Sequence, residues 1–244
     1  MIRTVGLGKS FGQPVLRGLD LVVPKGTLYG LIGPGASGKS VVLKLLAGLV
    51  RPDVGQIFIE GQDTTKMGEL ALQKVRAGIG FQFQNNALFD YLNVGDNIAF
   101  PLRRLTSAGA DEIRQRVAER LARVSLPGFE PRMPGGLSGG QRKRVGIARA
   151  TITQSPLVLF DEPAAGLDPV TSRKIFDLIR DEQRATGATA VVVSSDLDNL
   201  LATVDRVGMI LRGALVFDGT PDEARAATSP AVRQFVHGLT EGPL

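Results

Sequence analysis

The sequence has no cysteine and only one histidine. Without cysteine there can be no disulfide bond and no thiolate metal site, and the absence fits a reducing compartment such as the cytoplasm. No apolar run reaches the roughly 18 to 20 residues that a membrane-spanning helix needs, and no signal-peptide pattern of basic, apolar and small residues opens the chain. We therefore expect a protein that is soluble by itself.

Low-complexity segments, heptad runs and internal repeats are also missing. The 244 residues allow one large domain or two small ones, and a hydrophobic share of 43% is enough for a buried core. The formal net charge of +5 is compatible with an anionic ligand, nucleic acid or an anionic membrane surface. Ordinary solvated lysine and arginine residues are the more common cause of such a charge, so the charge alone names no partner.

Strand and helix patterns alternate along most of the chain. Residues 27–32 form an apolar run typical of a buried strand, and a helix is expected over residues 38–46. The buried face of that helix would carry Val42, Leu45, Leu46 and Leu49. Further strands are predicted at residues 2–5, 19–23, 56–59, 157–160 and 190–194, and further helices at residues 111–124 and 170–184. This alternation predicts an α/β fold with a parallel sheet, whose ligands bind at the carboxyl ends of strands.

The pattern changes in the middle of the chain, where a charged amphipathic helix replaces the strands. We interpret residues 86–150 as a helical subdomain inserted between residues 1–85 and 151–227, which form the α/β core. The last segment, residues 228–244, is expected to be a tail with a short helix and an extended end.

A glycine-rich loop follows the apolar strand at residues 27–32 and opens the next helix. Its residues fit the pattern G-x-x-x-x-G-K-[ST]: they are Gly33, Pro34, Gly35, Ala36, Ser37, Gly38, Lys39 and Ser40. Such a loop wraps backbone N–H groups around phosphate at a helix N-terminus. Lys39 would reach the β- and γ-phosphates, Ser40 would ligate Mg²⁺, and Val41 completes the nucleotide-binding segment. A loop that merely caps a helix is the alternative, and the strand–loop–helix context disfavours it.

A second strand, at residues 157–160, ends in two carboxylates. Asp161 suits the Mg²⁺ shell, directly or through a water, and Glu162 is placed to orient or deprotonate an attacking water. A pair of surface acids at a strand end is the alternative. The phosphate loop elsewhere in the chain favours the catalytic interpretation.

Leu137-Ser138-Gly139-Gly140-Gln141 places a hydroxyl, two glycine backbones and an amide at a helix start. These donors suit a second phosphate contact. A chain that already cradles phosphate does not need a second cradle for the same nucleotide. The economical interpretation is that this segment contacts the nucleotide of another copy, in a head-to-tail homodimer.

With these motifs in this order, the chain resembles the ATP-binding subunits of ABC transporters along essentially its whole length. The resemblance implies one P-loop NTPase domain over residues 1–244, with a mostly parallel sheet, an N-terminal antiparallel β subdomain and an inserted α-helical subdomain. It also implies ATP and Mg²⁺ as ligands, and an integral-membrane permease as partner.

The same resemblance assigns roles to further residues. Gln84 matches the glutamine that binds Mg²⁺ and contacts the membrane partner, and Asp168, in Ala165-Gly166-Leu167-Asp168, matches the aspartate that contacts the opposite chain. Phe11 matches the aromatic position that stacks on adenine. A core position is the alternative for this phenylalanine, and the flanking Lys9-Ser10 and Gly12, which resemble the family's loop, favour stacking.

One position departs from the family. Where the family has a histidine that contacts the γ-phosphate, this chain has Ser195, and its only histidine, His237, lies in the tail. A serine hydroxyl is shorter and uncharged, so it needs a bridging water to reach the phosphate. Losing one donor to transition-state charge costs roughly 10²–10³ in rate. We expect ATP binding and dimerisation to survive, and turnover to be slow or dependent on the partner.

Residues 83–89, residues 93–102 and the tail around Phe235 resemble the ATPases of Mla-type phospholipid transport, relatives of the Mce systems. This implies a position on the cytoplasmic face of the inner membrane. Further candidate partners are an MCE-domain lipid-binding protein and a STAS-domain regulator. Phe235 would anchor the tail across the ATPase dimer.

Three alternatives remain open at this point. Residues 83–89 are shared in weaker form with amino-acid importers, and slow hydrolysis at Ser195 would suit a regulatory clamp rather than a motor. Soluble ABC proteins of translation or DNA maintenance carry a second cassette or a long coiled-coil insertion, and neither is present here. The basic run 142–144 directly follows the 137–141 segment, where basic residues near nucleotide are expected, so we expect no nucleic-acid binding.

Overall fold

Two β-sheets organise the chain, of which the computed structural model describes all residues, 1–244. The strands are β1 (Ile2–Phe11), β2 (Gln13–Val23), β3 (Leu28–Ile32), β4 (Val54–Ile59), β5 (Gln62–Asp63), β6 (Ile79–Gln82), β7 (Leu157–Asp161), β8 (Thr189–Val193), β9 (Arg206–Leu211) and β10 (Ala214–Gly219). One sheet is four-stranded in the order β2-β1-β4-β5, and the other is six-stranded in the order β10-β9-β3-β8-β7-β6.

The two sheets differ in strand direction. All pairs of the four-stranded sheet are antiparallel. In the six-stranded sheet only β10 is antiparallel to its neighbour, and the other five strands run parallel. Strands β3, β7 and β8 are buried at every position, as expected for strands with both faces covered. The predicted fold class, a mostly parallel core with an N-terminal antiparallel β subdomain, is confirmed.

Nine α-helices surround the sheets. They are α1 (Lys39–Leu46), α2 (Glu69–Ala77), α3 (Val94–Leu105), α4 (Ala110–Arg123), α5 (Gly139–Thr151), α6 (Pro169–Thr186), α7 (Leu197–Leu201), α8 (Pro221–Arg225) and α9 (Pro230–His237). No helix combines the length and the apolar character that crossing a membrane requires.

The six-stranded sheet separates two hydrophobic clusters. Along β7, Val158 and Phe160 belong to one cluster, while Leu157 and Leu159 belong to the other. This alternation follows from the period of two along a strand, which sends successive side chains to opposite faces. Helix α1 packs on the second face, and α6 on the first.

Helices α3, α4 and α5 form a third cluster, and α5 joins it to the sheet. Val145 and Ala148 of α5 lie in the helical cluster, while Ile147 and Ala150 of the same helix lie in a sheet cluster. A second link is the buried ion pair between Arg120 of α4 and Glu182 of α6, both of which are 4% exposed. The helices between β6 and β7 are therefore fastened to the core at α5 and at this ion pair.

The structure corrects some sequence-based expectations. Leu49 was expected on the buried face of α1 but is 49% exposed, because α1 ends at Leu46 and the chain turns at Gly48. The sequence patterns did not reveal α2, α7, α8 or the β9–β10 hairpin. Between α4 and α5 the chain also forms a short 3₁₀ turn, Pro134–Gly136.

The tail forms the expected helix, α9, but its end is not extended. The backbone N–H of Leu244 donates to the side-chain carbonyl of Gln234 at 2.8 Å, so the last residues fold back over α9. Val232 of α9 is fully buried in the sheet cluster, whereas Phe235, the expected anchor, is only partly buried against the same cluster. His237 contacts the carbonyl of Arg225 at 2.9 Å, on α8 of the same chain.

Candidate active site

The glycine-rich loop connects β3 to α1 and depends on its glycines. Gly33 has a φ of 144°, and a Cβ there would lie 2.1 Å from the carbonyl oxygen of Ile210. Gly38 has a φ of 102° and caps α1. No other residue type fits these two positions without strain. The loop exposes Gly35 and Ala36 to solvent, half-buries Pro34, and directs Val41 toward the core beneath it.

Two polar side chains of this loop fit an anionic ligand. The hydroxyl of Ser37 is buried and has no hydrogen-bond partner within the chain. The Nζ atom of Lys39 donates to the carbonyls of Gly33 at 2.7 Å and Pro34 at 2.8 Å. Burial lowers the pKa of Lys39, and the neighbouring carboxylates of Glu162 and Asp161 partly oppose that shift. A buried hydroxyl without a partner is unusual, and a phosphate oxygen would satisfy it.

Ser40 and Asp161 form the oxygen pair that a hard cation prefers. The hydroxyl of Ser40 donates to Oδ1 of Asp161 at 2.8 Å. The chain has no cluster of three or more histidine, cysteine or acidic side chains that could hold a metal by itself. Mg²⁺ is commonly bound by one or two protein oxygens together with substrate phosphates. The pair at this position fits that mode of binding.

Glu162 directly follows β7 in an uncommon backbone conformation, with a φ of 49°. Its N–H donates to the carbonyl of Val193 at 2.9 Å, and its own carbonyl accepts a hydrogen bond from Lys143 Nζ at 3.0 Å. A non-glycine residue in the left-handed region costs of order 1–3 kcal/mol, and surrounding contacts must hold it there. These backbone bonds supply that hold.

Ser195 lies two residues after the end of β8, next to the carboxylate of Glu162. Both its backbone N–H and its hydroxyl donate to Oε2 of Glu162, each at 3.0 Å. The sequence predicts Ser195 in the place of a phosphate-contacting histidine. The structure adds that its hydroxyl bonds to the carboxylate of the expected base.

Gln84 lies in an exposed turn just after β6. Its backbone carbonyl accepts a hydrogen bond from Lys143 Nζ at 2.6 Å, while its side chain is free of hydrogen bonds in the chain. The rings of Phe81 and Phe83 stack beside it, with centroids 4.2 Å apart. The Gln84 side chain is therefore available to a ligand or a partner.

Phe11 is presented at the tip of the β1–β2 hairpin. It is 57% exposed, which excludes the core position that the sequence left open. Lys9 Nζ lies 5.3 Å from the ring centroid and donates to Asp53 at 2.7 Å, and the N–H of Ser10 donates to the same carboxylate. The hairpin tip is thus held in place while the ring faces solvent.

The Ser138–Gln141 segment begins α5. The Ser138 hydroxyl accepts from the N–H of Gln141, and the Gln141 side chain accepts from the N–H of Ser138. This capping box still leaves the hydroxyl hydrogen of Ser138 and the amide hydrogens of Gln141 to donate. Gly139 and Ser138 are exposed.

Asp168 lies next to this segment. Its side chain accepts from the N–H of Thr171 and caps α6; these hydrogen bonds lower its pKa. A Cβ on Gly140 would lie 2.9 Å from the methyl of Thr171, so the two segments pack directly together. No hydrogen bond joins either of them to the phosphate loop. The predicted site residues therefore form two groups with no hydrogen bond between them.

Sequence reasoning missed the role of Lys143. The run 142–144 was interpreted as basic residues near nucleotide, whereas Lys143 is buried and its Nζ bonds to the backbone carbonyls of Gln84 and Glu162. A signal was available in the spacing: Lys143, Gly146 and Arg149 recur every third residue along α5, on one face.

Comparison with known proteins shows what the chain resembles. The protein-family model described as ABC transporter matches residues 16–165. The chain is 41% identical over 244 residues to the probable ribonucleotide transport ATP-binding protein mkl of Mycobacterium tuberculosis, covering all of the chain and 68% of that protein. It is 36% identical over 226 residues to the intermembrane phospholipid transport system ATP-binding protein MlaF of Escherichia coli, covering 93% of the chain and 84% of that protein.

Further similarity extends to a plant protein and to solved structures. The chloroplastic protein trigalactosyldiacylglycerol 3 of Arabidopsis thaliana is 36% identical over 254 residues, covering 97% of the chain and 73% of that protein. The dimeric structure of a bacterial ABC transporter cassette superposes with a TM-score of 0.85 at 30% identity, covering 91% of this chain and 99% of that one. The same cassette in a dimeric post-hydrolysis state bound to ADP and Pi gives a TM-score of 0.85 at 29% identity, with the same coverage.

Proposed function

The chain belongs to the ABC transporter family of ATP-binding proteins, and from this premise we propose that two copies of it hydrolyse ATP to drive a membrane permease that moves phospholipids. One observation carries the dimeric part of the proposal. No hydrogen bond joins the phosphate loop to the Ser138–Gln141 segment of the same chain. The buried Ser37 hydroxyl has no partner, and the Gln141 side chain is bonded only through its oxygen. Two chains placed head to tail would bring the two groups onto each nucleotide.

The division of labour at each site follows from the contacts. Backbone N–H groups of residues 33–38, the Ser37 hydroxyl and Lys39 would hold the phosphates. Ser40, Asp161 and Gln84 would hold Mg²⁺, and Phe11 would stack on the adenine. Bound Mg²⁺ would neutralise the negative charge that the phosphoryl oxygens develop during transfer.

Glu162 would orient the attacking water and take its proton. Its carboxylate already accepts two hydrogen bonds from Ser195 through Oε2, which leaves Oε1 as the free oxygen. Ser195 would hold this carboxylate in place. This arrangement supports hydrolysis by the chain, with Glu162 as general base and Ser195 beside it.

An aromatic groove next to the Gln84 turn supports a membrane partner. It has a volume of about 300 Å³ and is lined mainly by apolar side chains, with Arg149 at one side. Phe89 packs against Phe100 with ring centroids 4.8 Å apart, and Tyr91 beside it is 76% exposed. Exposed aromatic clusters of this kind mark interaction surfaces. We assign this groove to the permease, on the cytoplasmic face of the inner membrane.

The transported substrate is inferred from the names of the relatives and from three segments of the sequence. The names of the relatives divide between ribonucleotide transport and phospholipid transport, and the plant relative is named after a glycolipid. Residues 83–89, residues 93–102 and the tail favour the lipid group. On that basis an MCE-domain lipid-binding protein and a STAS-domain regulator would accompany the permease.

The dimer is tested with the Glu162→Gln variant, which should hold ATP and cleave it far more slowly than the parent chain. With saturating ATP and Mg²⁺, light scattering coupled to size exclusion should report twice the monomer mass, and the mass should return to that of the monomer with ADP. A Glu162→Gln chain that stays monomeric under these conditions, even beside its permease, would refute the composite site.

The partners and the substrate class are tested by purification. The tagged chain is isolated from detergent-solubilised membranes, and companion proteins and lipids are identified by mass spectrometry. A permease together with a lipid-binding protein supports phospholipid transport. A permease with a nucleotide-binding or amino-acid-binding companion contradicts it.

A slow regulatory clamp is the second candidate, and Ser195 favours it because it provides no imidazole to the phosphate. Steady ATP hydrolysis that rises when the membrane partner is added supports the motor. A slow rate that no membrane partner changes supports the clamp.

A further inference from the structure

One face of α5 holds the loop that carries Gln84. Lys143 Nζ donates to the carbonyl of Gln84 at 2.6 Å, and the guanidinium of Arg149 donates to the carbonyls of Ala87, at 2.7 Å, and Asn86. Between them, Gly146 leaves room for the side chain of Asn86, since a Cβ there would lie 3.2 Å from its Oδ1. Lys143 and Arg149 therefore hold the loop of residues 84–87 by hydrogen bonds to its backbone carbonyls.

Lys143 differs from Arg149 because it also contacts the backbone of Glu162, the proposed general base. Its Nζ donates to the backbone carbonyl of Glu162 at 3.0 Å, so one ammonium group bridges the Gln84 turn and the end of β7. Glu162 has a φ of 49°, and a bond to its carbonyl restrains the peptide plane that follows. The position of the Gln84 turn is therefore linked to the orientation of Glu162 through a single side chain.

Burial of Lys143 makes its two hydrogen bonds costly to break. The Lys143 side chain is 6% exposed, and burying an ammonium group is costly unless its donors are satisfied. Both of its protein bonds go to backbone carbonyls, which cannot turn away as side chains do. A shift of the Gln84 turn must either break a bond to a buried charge or move the Glu162 carbonyl with it.

We propose that Lys143 is a positioning residue that couples the Gln84 turn to the carboxylate of Glu162, so that a partner seated in the adjacent groove shifts this carboxylate through Lys143. The proposal rests on the proposed ATPase function. Lys143 contacts neither the phosphate loop nor Phe11, so its removal should leave nucleotide binding intact. It should lower turnover, because a small misplacement of a catalytic group costs up to about 10²-fold in rate.

The first test separates binding from turnover in the full chain. Lys143→Met removes the donors but keeps much of the volume, Lys143→Arg restores donors, and Lys74→Met is the control, since Lys74 is an exposed lysine on α2 without an ion pair. We expect Lys143→Met to reduce kcat about 10- to 100-fold while the Kd for a fluorescent ATP analogue changes less than twofold. Lys143→Arg should recover part of the rate, and Lys74→Met should match the parent chain.

The second test asks whether Lys143 acts through Glu162. In a double-mutant cycle with Glu162→Gln, a positioning role predicts strong non-additivity, because the effect of Lys143→Met disappears once the carboxylate is gone. Equal losses from Lys143→Met with and without Glu162→Gln would overturn the coupling.

Other outcomes separate the positioning role of Lys143 from the proposed ATPase function. A Lys143→Met chain with the parent kcat overturns the inference and leaves the proposed function standing, whereas a parent chain that does not hydrolyse ATP removes the proposed function itself. If Lys143→Met does not fold, Lys143→Gln replaces it, because its amide tolerates the polar site while its side chain, one bond shorter than that of lysine, does not join the two carbonyls. Variants that all lose ATP binding and turnover together would show a role in folding only and refute the proposal.

Discussion

Phe11 provides the sharpest test of nucleotide recognition, because its ring is exposed at a hairpin tip and belongs to no core cluster. Stacking of an aromatic side chain on a base is worth about 1–3 kcal/mol by alanine substitution. Since each 1.4 kcal/mol is a factor of ten, Phe11→Ala should weaken ATP binding about 5- to 150-fold. Stability should hardly change, because the ring is 57% exposed.

A fluorescence assay is possible because the chain lacks tryptophan. Phe11→Trp therefore introduces a single fluorophore at the expected adenine position. Its emission should change on adding ATP, and its Kd should stay close to that of the parent chain because the stacking surface is kept. Isothermal titration calorimetry gives the Kd values of the parent and of Phe11→Ala.

Two comparisons make the result decisive. Tripolyphosphate has no base, so Phe11→Ala should leave its binding unchanged. Val22→Ala, at an exposed position of β2 in the same sheet, serves as the matched control. An ATP Kd within twofold of the parent for Phe11→Ala refutes stacking, and equal losses for ATP and tripolyphosphate would mean that the hairpin supports the phosphate loop instead.

Three further predictions concern Ser195, the Arg120–Glu182 ion pair and the tail. Ser195→His should raise turnover by up to about 10²-fold, and an unchanged rate in a steady-state phosphate-release assay would contradict the view that serine limits the reaction. Glu182→Gln leaves the buried guanidinium of Arg120 without its counter-charge, which costs about 3–5 kcal/mol and should lower the Tm by about 6–20 °C in calorimetry; a smaller change than about 2 °C would show that solvent reaches the pair. Truncation after Thr228 removes the buried Val232 and should lower both the Tm and the yield of permease complex on size exclusion, so an unchanged complex would count against a role for the tail in assembly.

The residues of the candidate site could be named from local motifs because the geometry of each motif is local. The loop between β3 and α1 needs glycines at Gly33 and Gly38 for its own backbone path, and the strand before Asp161 needs apolar residues because both of its faces are covered. These requirements act over a few residues, so they are legible in the sequence. The prediction that Leu49 is buried was wrong, because the chain turns at Gly48 and α1 ends earlier than the apolar pattern indicates.

Long-range contacts were not legible in the same way. Nothing near Ser195 in the sequence shows that its hydroxyl bonds to Glu162, and nothing near Lys143 shows that it joins two backbone carbonyls from distant segments. The fold-back of Leu244 onto Gln234 is another example. Each depends on which strands become neighbours in the six-stranded sheet.

The sequence by itself thus determined the proposed chemistry of this protein, because the candidate phosphate loop, cation pair, general base and second set of donors each lie in a short stretch of residues. Only the tertiary structure decided how those parts are held, through the Ser195 hydroxyl on the Glu162 carboxylate and the Lys143 ammonium that joins the carbonyls of Gln84 and Glu162. The physical reason is that a motif constrains its own backbone, whereas a hydrogen bond between distant segments exists only after the sheet has set their separation.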